Sequence, residues 1–390
     1  MKENETTGAL AAIAAPFFMA LGFIIWDVTW KKSKGSAFAL NLYKCNLASI
    51  GFVIIGSIFG FTKKTTDDDE SEAMLESVGY LILSGFIGII IGDLAWLEAL
   101  RQLGASKVLV IDTVKPFAAA FFGWLILEES IHKVAFAGIA LTVLGVLIVS
   151  LESESKDNEK EDEKEQLRPT SGLDEEEAQA SCAEEDQLEP SSTAINEEII
   201  QEELPREEVN LSTEKDERTS RWNTRRGYAL AIGNVFLDTY GSLLTKQHGM
   251  KFSTWAINLI RFGSSGVIMI VVSCLMHLYN RKRPRASQSD VASVTPWYQL
   301  PQMNAKSWVK ISIGVLFVTF FCPALSNYAL FQIALALALT LGSISPLYAL
   351  LLEWPIHGAT KKPTLRAIGG ASLAIGGVVI LGIFNTQDTR

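Results

Sequence analysis

The segment DLAWLEALRQLGASKVLVIDTVKP at residues 93–116 aligns without a gap with PALSNYALFQIALALALTLGSISP at residues 323–346. The matched positions include Ala99/Ala329, Leu100/Leu330, Gln102/Gln332 and Pro116/Pro346. With the same offset, Trp124 aligns with Trp354. Identical residues in the same order at a fixed spacing indicate an internal repeat, and this repeat is the strongest signal for the fold.

A second match joins a glycine-rich apolar segment in each half of the chain. AFAGIALTVLGVLIV (135–149) aligns with AIGGASLAIGGVVIL (367–381), two residues out of step with the first match. The alignment pairs Gly145 with Gly377, among other small residues. Small residues at helical spacing allow two helix backbones to approach closely, so we expect these glycines to serve helix packing.

The composition indicates a membrane protein. Hydrophobic residues make up 48% of the 390 residues and the mean hydropathy is +0.23, which is too apolar for a soluble protein of this length. A bilayer core about 30 Å thick needs about 20 apolar residues per helix. Ten such runs lie near residues 8–29, 37–60, 78–99, 103–127, 134–151, 227–247, 254–278, 309–330, 331–353 and 364–385. The sequence therefore predicts an all-α membrane protein with ten transmembrane helices.

A strongly acidic stretch separates the fifth apolar run from the sixth. Residues 152–226 hold more than half of the 43 acidic residues of the chain and few apolar ones. Such a segment buries too little apolar surface to offset the entropy of ordering, so we predict a disordered linker. The predicted organisation is one five-helix repeat at residues 1–151, the linker at 152–226 and a second five-helix repeat at 227–390. The linker accounts for the negative sign of the net charge of −9, because the rest of the chain has a positive net charge, and we expect no nucleic-acid partner.

The number of spans in each repeat determines how the two repeats relate. Because five is odd, two copies with the same internal fold enter the bilayer from opposite faces. We therefore expect inverted repeats, related by a pseudo-two-fold axis in the membrane plane. Rocking such halves around a cavity at mid-membrane can open it to each face in turn, which is alternating access.

These features together resemble the EamA-type family of the drug/metabolite transporter superfamily. The likeness rests on the five-plus-five arrangement, the AL-x-Q motif followed by a mid-span proline, and the glycine-rich fifth span of each half. It implies a secondary transporter, not driven by ATP, that carries a small polar or charged metabolite through a cavity between the repeats. It implies no enzyme activity. The family also places an acid ahead of the last span of each unit, where this chain has Glu128 and Glu129 in the first half but Gly358 in the second.

Charged residues inside apolar spans are the candidates for a substrate site. A charge at the bilayer centre costs about 2.5–3.5 kcal/mol on insertion scales, so it marks a functional position by default. The sequence NLYK, from Asn41 to Lys44, corresponds to NLIR, from Asn258 to Arg261. Inversion would place Lys44 and Arg261 at similar depths, where the pair could hold a carboxylate or phosphate. The alternative is that both side chains extend to the membrane interface.

Other charged residues inside the predicted spans are also candidates. Asp112 and Lys115 are three residues apart on one helix face and are candidates for the cavity, although they can also neutralise each other. Asp93, Asp238 and Asp27 are candidates for proton coupling, because a buried carboxylate can take up and release a proton. The alternative is a structural hydrogen bond to a neighbouring helix. A weaker repeat match, which needs a further gap, pairs Asp27 with Asp238.

Pro116 and Pro346 occupy matching positions inside predicted spans. Each lacks an amide hydrogen and leaves the carbonyl four residues earlier, that of Asp112 or Gly342, without its helical partner. We predict a helix kink at each proline. The freed carbonyls must be met by protein, water or a ligand.

Other classes of function have weaker sequence support. Asp93 and Asp238 leave an intramembrane aspartyl enzyme as an alternative, but Ile90 stands where the first glycine of a GxGD motif would be. A receptor or scaffold without transport activity is the other alternative. The four cysteines and four histidines show no metal-binding spacing, so we expect neither a metal nor a cofactor.

The expected partners are membrane lipid and a small-molecule metabolite. Basic residues are concentrated in the loops after spans 1, 3, 7 and 9, which by the positive-inside rule would put both termini away from the cytoplasm. The family resemblance favours cytoplasmic termini instead. Both orientations stay open, as do the oligomeric state and the choice between plasma membrane and endomembrane for this multi-pass protein.

Overall fold

The computed structural model describes residues 3–61, 71–103, 105–129, 133–166, 206–282, 296–357 and 364–384. All long regular elements in these ranges are helices. Those of the first half are α1 (Glu3–Lys32), α2 (Ala37–Phe59), α3 (Ser71–Gly85), α4 (Asp93–Leu103), α5 (Ala105–Asp112), α6 (Lys115–Ile126) and α7 (Lys133–Gln166). Those of the second half are α8 (Arg206–His248), α9 (Thr254–Lys282), α10 (Ala305–Leu316), α11 (Cys322–Gln332), α12 (Leu335–Gly342), α13 (Ser345–His357) and α14 (Leu365–Phe384).

Each predicted apolar run falls on helical structure within the described residues. Seven helices are long and apolar enough to cross a membrane, by length and composition. Among the other runs, α5 and α6 are each short, α8 carries Asp238 and Lys246 within its predicted span, and α14 contains the shorter apolar stretch Leu365–Leu381. The all-helical class is therefore confirmed, and the full count of ten transmembrane helices stays a prediction.

Two long helices, one in each half, contain a π-helical segment. Phe86–Gly92 joins α3 to α4, and Phe317–Phe321 joins α10 to α11. The two segments fall at matching positions of the sequence repeat. A π-helical segment inserts an extra residue into the helical hydrogen-bond ladder and is frequent at functional sites. In the first half, the segment is followed directly by Asp93, the first residue of α4.

Pro116 and Pro346 begin new helices, whereas the sequence predicted that they kink continuous ones. Pro116 is the second residue of α6, and Pro346 is the second residue of α13. The chain leaves the helix for two residues before each of these helices, at 113–114 and at 343–344. A proline fits the first helical turn because the amide hydrogen that it lacks has no helical partner there. The fourth and ninth predicted spans are therefore discontinuous helices.

The helices that flank the predicted linker extend into it. α7 continues to Gln166 and α8 begins at Arg206, although the sequence predicted disorder from residue 152 to 226. The cause of this difference is that Glu, Lys and Arg are good helix formers, and an apolar helix that has already formed can add turns at low cost. Residues Glu154–Asn223 form a unit of their own. The disorder predicted for residues 167–205 lies outside the described residues.

α7 and α14 pack through glycines at backbone distance. A Cβ atom on Gly145 would lie 2.5 Å from the carbonyl oxygen of Gly370. A Cβ atom on Gly377 would lie 2.5 Å from the amide nitrogen of Thr142. Any larger residue at these positions would meet backbone atoms, which confirms the packing role predicted for the glycine-rich match.

α1 and α8, the first helices of the two halves, also use glycine at a close helix contact. A Cβ atom on Gly22 would lie 2.5 Å from the carbonyl oxygen of Gly314 in α10. A Cβ atom on Gly241 would lie 3.2 Å from the carbonyl oxygen of Ser84 in α3. Ser84 and Gly314 occupy matching positions of the repeat. The glycines that contact them, Gly241 and Gly22, are therefore equivalent positions in α8 and α1.

Candidate functional site

A cavity of about 260 Å³ opens between helices from both halves of the chain. Its lining includes the charged residues Lys44, Asp93, Asp112, Lys115, Asp238 and Arg261. These side chains come from six different helices, so only the tertiary fold brings them together. Neutral polar side chains complete the polar part of the lining, among them Asn234, Ser242, Thr319 and Asn327.

Lys44 of α2 forms an ion pair with Asp93 at the start of α4. The Lys44 Nζ atom lies 3.0 Å from the Asp93 Oδ2 atom, and Lys44 is only 4% exposed. Lys44 therefore points into the protein, and the alternative in which it extends to the membrane interface is wrong. A buried cation needs such a partner, because the cost of removing it from water is several kcal/mol.

Arg261 of α9 has a neutral partner. Its Nη1 atom donates to the Asn327 Oδ1 atom at 3.4 Å, and Asn327 in turn donates through Nδ2 to the Asn258 Oδ1 atom at 2.7 Å. Arg261 is 7% exposed, and its Nε atom has no hydrogen-bond partner among the described residues. No carboxylate in the described part of the chain forms an ion pair with it. Arg261 thus carries a buried charge without an ion-pair partner among the described residues.

Lys115 lies between two carboxylates. Its Nζ atom is 3.3 Å from the Asp112 Oδ1 atom and 3.2 Å from the Asp238 Oδ2 atom. The Trp96 indole nitrogen donates to the other oxygen of Asp112 at 3.0 Å. Mutual neutralisation of Asp112 and Lys115 is therefore an incomplete description, because Asp238 of α8 adds a second negative charge to this cluster.

Asn41 and Asn258, predicted for the cavity, make structural hydrogen bonds. The Asn41 amide donates to the carbonyl oxygen of Ile89 at 2.8 Å, inside the first π-helical segment. The Asn258 amide donates to the carbonyl oxygen of Thr254 at 2.9 Å. Both side chains are fully buried. Asn41 supplies a donor where the wide helical turn disturbs the backbone ladder, so it holds the segment that precedes Asp93.

Asp27 does not line the cavity. Its Oδ2 atom forms an ion pair with the Lys31 Nζ atom at 2.7 Å, one turn along α1, and the Lys31 side chain is 63% exposed. The glycine contacts align Gly22 of α1 with Gly241 of α8, and this alignment differs from the one that pairs Asp27 with Asp238. Asp27 is therefore a surface ion-pair residue.

The two prolines lie in different surroundings. Pro346 lines the cavity, whereas Pro116 is buried within the helical packing.

Asp93 and Asp238 each contact a different lysine. An aspartyl catalytic pair requires two carboxylates that share one site, and these two side chains are held in separate ion pairs.

The sequence prediction missed Asn327, Asn234 and Trp96. It searched the spans for charges, whereas these residues are uncharged. Asn327 lies inside the quoted segment 323–346, so a search for any polar side chain in an apolar span would have found it. The contact between Trp96 and Asp112 joins two helices and leaves no pattern in the sequence.

A second polar cluster joins the two halves at residues that the described cavity lining does not include. The Glu129 Oε1 atom lies 2.6 Å from the Lys246 Nζ atom, and Glu129 Oε2 accepts from the Leu335 amide at 2.9 Å. Lys246 also donates to the carbonyl oxygen of Ile333 at 2.7 Å. The acid thus meets the N-terminus of α12 and the base meets the end of α11, as helix dipoles favour. We call these four residues the Glu129 cluster.

Comparison with protein families gives a match to the first part of the chain. Residues 6–151 match the EamA-like transporter family. This family belongs to the drug/metabolite transporter superfamily, so the resemblance stated from the sequence is confirmed over these residues. Together with the membrane-length helices, the match identifies an integral, multi-pass membrane protein.

The whole chain also resembles solved structures. One, titled "Crystal structure of protein", aligns over 100% of this chain and 100% of its own length with a TM-score of 0.57 and 11% sequence identity. At this identity the likeness concerns the fold alone. No curated protein matches the chain.

Proposed function

We propose that the protein is a secondary transporter that moves a small polar or charged metabolite by alternating access. In this proposal the two five-helix repeats are inverted and the charged cavity is the substrate site. The single observation that supports it best is the position of Lys44, Asp93, Asp112, Lys115, Asp238 and Arg261 around one cavity. Placing six charged side chains among apolar helices costs free energy, and binding of a polar or charged substrate would explain why they are there.

The paired irregularities of the helices support the same proposal. Each half has a π-helical segment in its third span and a break before a proline in its fourth. Discontinuous helices at repeat-related positions are how many transporters expose backbone and polar groups at a central site. The cavity lining takes residues from these irregular regions, including Gly88, Asp93, Gly342 and Pro346.

Transport by the purified protein in lipid vesicles tests the proposal. The vesicles would be offered a pooled set of amino acids, nucleobases, nucleotide sugars and sugar phosphates, and uptake and efflux would be compared with protein-free vesicles. We expect at least one class to cross the membrane. We expect the Lys44→Gln, Arg261→Gln double variant to lose at least about 90% of this flux, because it removes two charges from the cavity.

The matched control is the Lys306→Ala, Lys310→Ala double variant. It also removes two positive charges, but both side chains are exposed on α10. It should keep the flux of the wild type. If the wild type carried nothing, or the cavity variant retained full flux while eluting as a folded protein, the proposal would be wrong and a scaffold or receptor role would gain support.

A further inference from the structure

One glycine of the cavity wall has no packing role. Gly342, the last residue of α12, lines the cavity. A Cβ atom added to it would meet no heavy atom within 4 Å. Gly88, which also lines the cavity, differs, because its Cβ atom would lie 3.5 Å from the Arg261 Nη2 atom. Gly342 therefore borders open space, where most residues of a helix would border a packed neighbour.

The backbone conformation of Gly342 does not require glycine either. Glycine is needed where φ is positive, and Gly60 has such a φ, whereas Gly342 does not. Gly342 belongs to the last turn of a helix, and glycine is a poorer helix former than alanine. A glycine on a cavity wall without a packing or conformational reason is explained by the space that it leaves.

The sequence repeat shows what the first half has at the same position. The ungapped alignment of the two repeat segments pairs Gly342 with Asp112. The Asp112 side chain occupies its position, with its carboxylate oxygens 3.0 Å from the Trp96 indole nitrogen and 3.3 Å from the Lys115 Nζ atom. The helix breaks of the two halves thus have the same form, but the second break lacks a side chain at this position.

The carbonyl group of Gly342 also lacks its usual helical partner. Pro346 stands four residues later and has no amide hydrogen to donate to it. Ser343, Ser345 and Pro346 line the cavity beside Gly342, so the break as a whole contributes to the wall. A ligand can approach the main chain closely at a glycine, because no side chain stands in between.

From these observations, and resting on the transport function proposed above, we infer that Gly342 sets the upper limit on the size of the cargo. The cargo packs against the main chain of α12 at this residue, in the space that a side chain would take. The cavity measures about 260 Å³, and any side chain at residue 342 would occupy part of it. The inference concerns size alone and applies to whichever class of metabolite the protein carries.

Chemical extension of a cysteine at this position tests the inference within one folded protein. Gly342→Cys would be introduced into a chain without the four native cysteines and reconstituted in vesicles with the pooled metabolite set described above. Methyl, propyl and butyl methanethiosulfonates would then add groups of increasing size to the thiol through a mixed disulfide. We expect the butyl group to reduce the flux of the largest carried compounds at least about tenfold and that of the smallest less than about threefold. Dithiothreitol should restore both fluxes.

Substitution at Gly342 tests the same point without reagents. Gly342→Leu should reduce the flux of large compounds relative to small ones at least about tenfold, and Gly342→Ala should have a smaller effect in the same direction. Gly342→Ala should unfold in detergent at the temperature of the wild type or above it, because its methyl group meets no neighbour.

The matched controls are Gly369→Cys, treated with the same reagents, and Gly369→Leu. Gly369 of α14 also has no heavy atom within 4 Å of an added Cβ atom, but it is exposed and is not part of the described cavity lining. Both control variants should keep the flux of every carried compound.

The outcomes separate this inference from the proposed function. If the thiol of the Gly342→Cys variant failed to react, or reacted without a change in any flux, the size limit would be overturned, because residue 342 would not border the path of the cargo. Equal loss for small and large compounds would also overturn it, since residue 342 would then affect the transport cycle and not selection. A wild type that carried no compound would overturn the proposed transport function, and this inference with it.

Discussion

At the scale of single residues, the two bases that the repeat pairs with each other have different partners. Lys44 lies against the Asp93 carboxylate, and Arg261 lies against the Asn327 amide. A carboxylate neutralises a buried cation, whereas an amide oxygen satisfies one donor and leaves the charge in place. The repeat thus supplies two equivalent positions, and the neighbouring residue decides which of them keeps a charge available for a ligand.

Replacing Asn327 with Asp tests this difference. The substitution keeps the size of the side chain and places a carboxylate beside Arg261. We expect flux through reconstituted vesicles to fall at least about tenfold, which corresponds to a loss of about 1.4 kcal/mol in ligand binding. Asn280→Asp, at an exposed position of α9, the helix that carries Arg261, is the control. Unchanged flux in the Asn327 variant would mean that Arg261 does not hold the cargo.

The ion pair of Lys44 and Asp93 makes a prediction about stability. Lys44→Met should lower the free energy of unfolding by about 1–3 kcal/mol, because it leaves the partly exposed Asp93 carboxylate without its ion-pair partner. The double variant Lys44→Met, Asp93→Asn should recover at least half of this loss. Thermal unfolding in detergent measures both effects. Lys31→Met should cost less than about 1 kcal/mol, since its ion pair with Asp27 is exposed. Equal loss in the single and double variants would contradict a paired interaction.

The sequence identified charged residues that line one cavity, but it did not identify their partners. The cost of burying charge identified six residues that the fold brings to one cavity. It could not show that Lys44 meets Asp93, since these residues lie 49 positions apart and only helix packing sets the contact. Asn327 was missed because the search of the spans looked for charged side chains, and the Asn327 amide is neutral.

At the scale of helices, the sequence predicted irregular spans but not their form. A proline inside an apolar run permits either a kink or a new helix start. The local sequence does not distinguish a kink from a new helix start, because the proline lacks the same amide hydrogen in both cases. The two π-helical segments were not predicted from the sequence, although they lie just before the repeat segments 93–116 and 323–346.

The contact of α7 with α14 gives a prediction at this scale. Gly145→Ala should lower the free energy of unfolding by about 1–3 kcal/mol, because its methyl group would meet backbone atoms of α14. Gly369→Ala, which meets no atom within 4 Å, is the control, and it should be neutral or stabilising by up to about 1 kcal/mol. Thermal unfolding in detergent distinguishes the two. Similar stability of both variants would contradict the close packing of these helices.

At the scale of the whole molecule, the Glu129 cluster connects the two halves. It joins the end of α6 to the end of α8 and to the turn between α11 and α12. If the halves rock against each other, this connection must break in one of the two states. The family resemblance drew attention to Glu129, but its partner Lys246 follows only from the fold.

Breaking this connection should change access to the cavity. Cys322 lines the cavity and reports on access through its rate of labelling by a maleimide, in a background that lacks Cys182 and Cys274. We expect Glu129→Gln to change this rate about fivefold, as a shift of about 1 kcal/mol in a two-state equilibrium would. Glu128→Gln, next to it but exposed, is the control. Equal rates in both variants would show that the cluster does not control access.

If the two repeats are inverted, two matching loops lie on opposite faces of the membrane. Lys32, at the end of α1, and Met250, after the end of α8, are exposed residues at equivalent places in the two halves. Each would be replaced by cysteine in a chain without its four native cysteines and labelled in sealed membranes with an impermeant maleimide. We expect the two positions to be labelled from opposite faces of the membrane, whatever the absolute orientation. Labelling of both positions from the same face would contradict it.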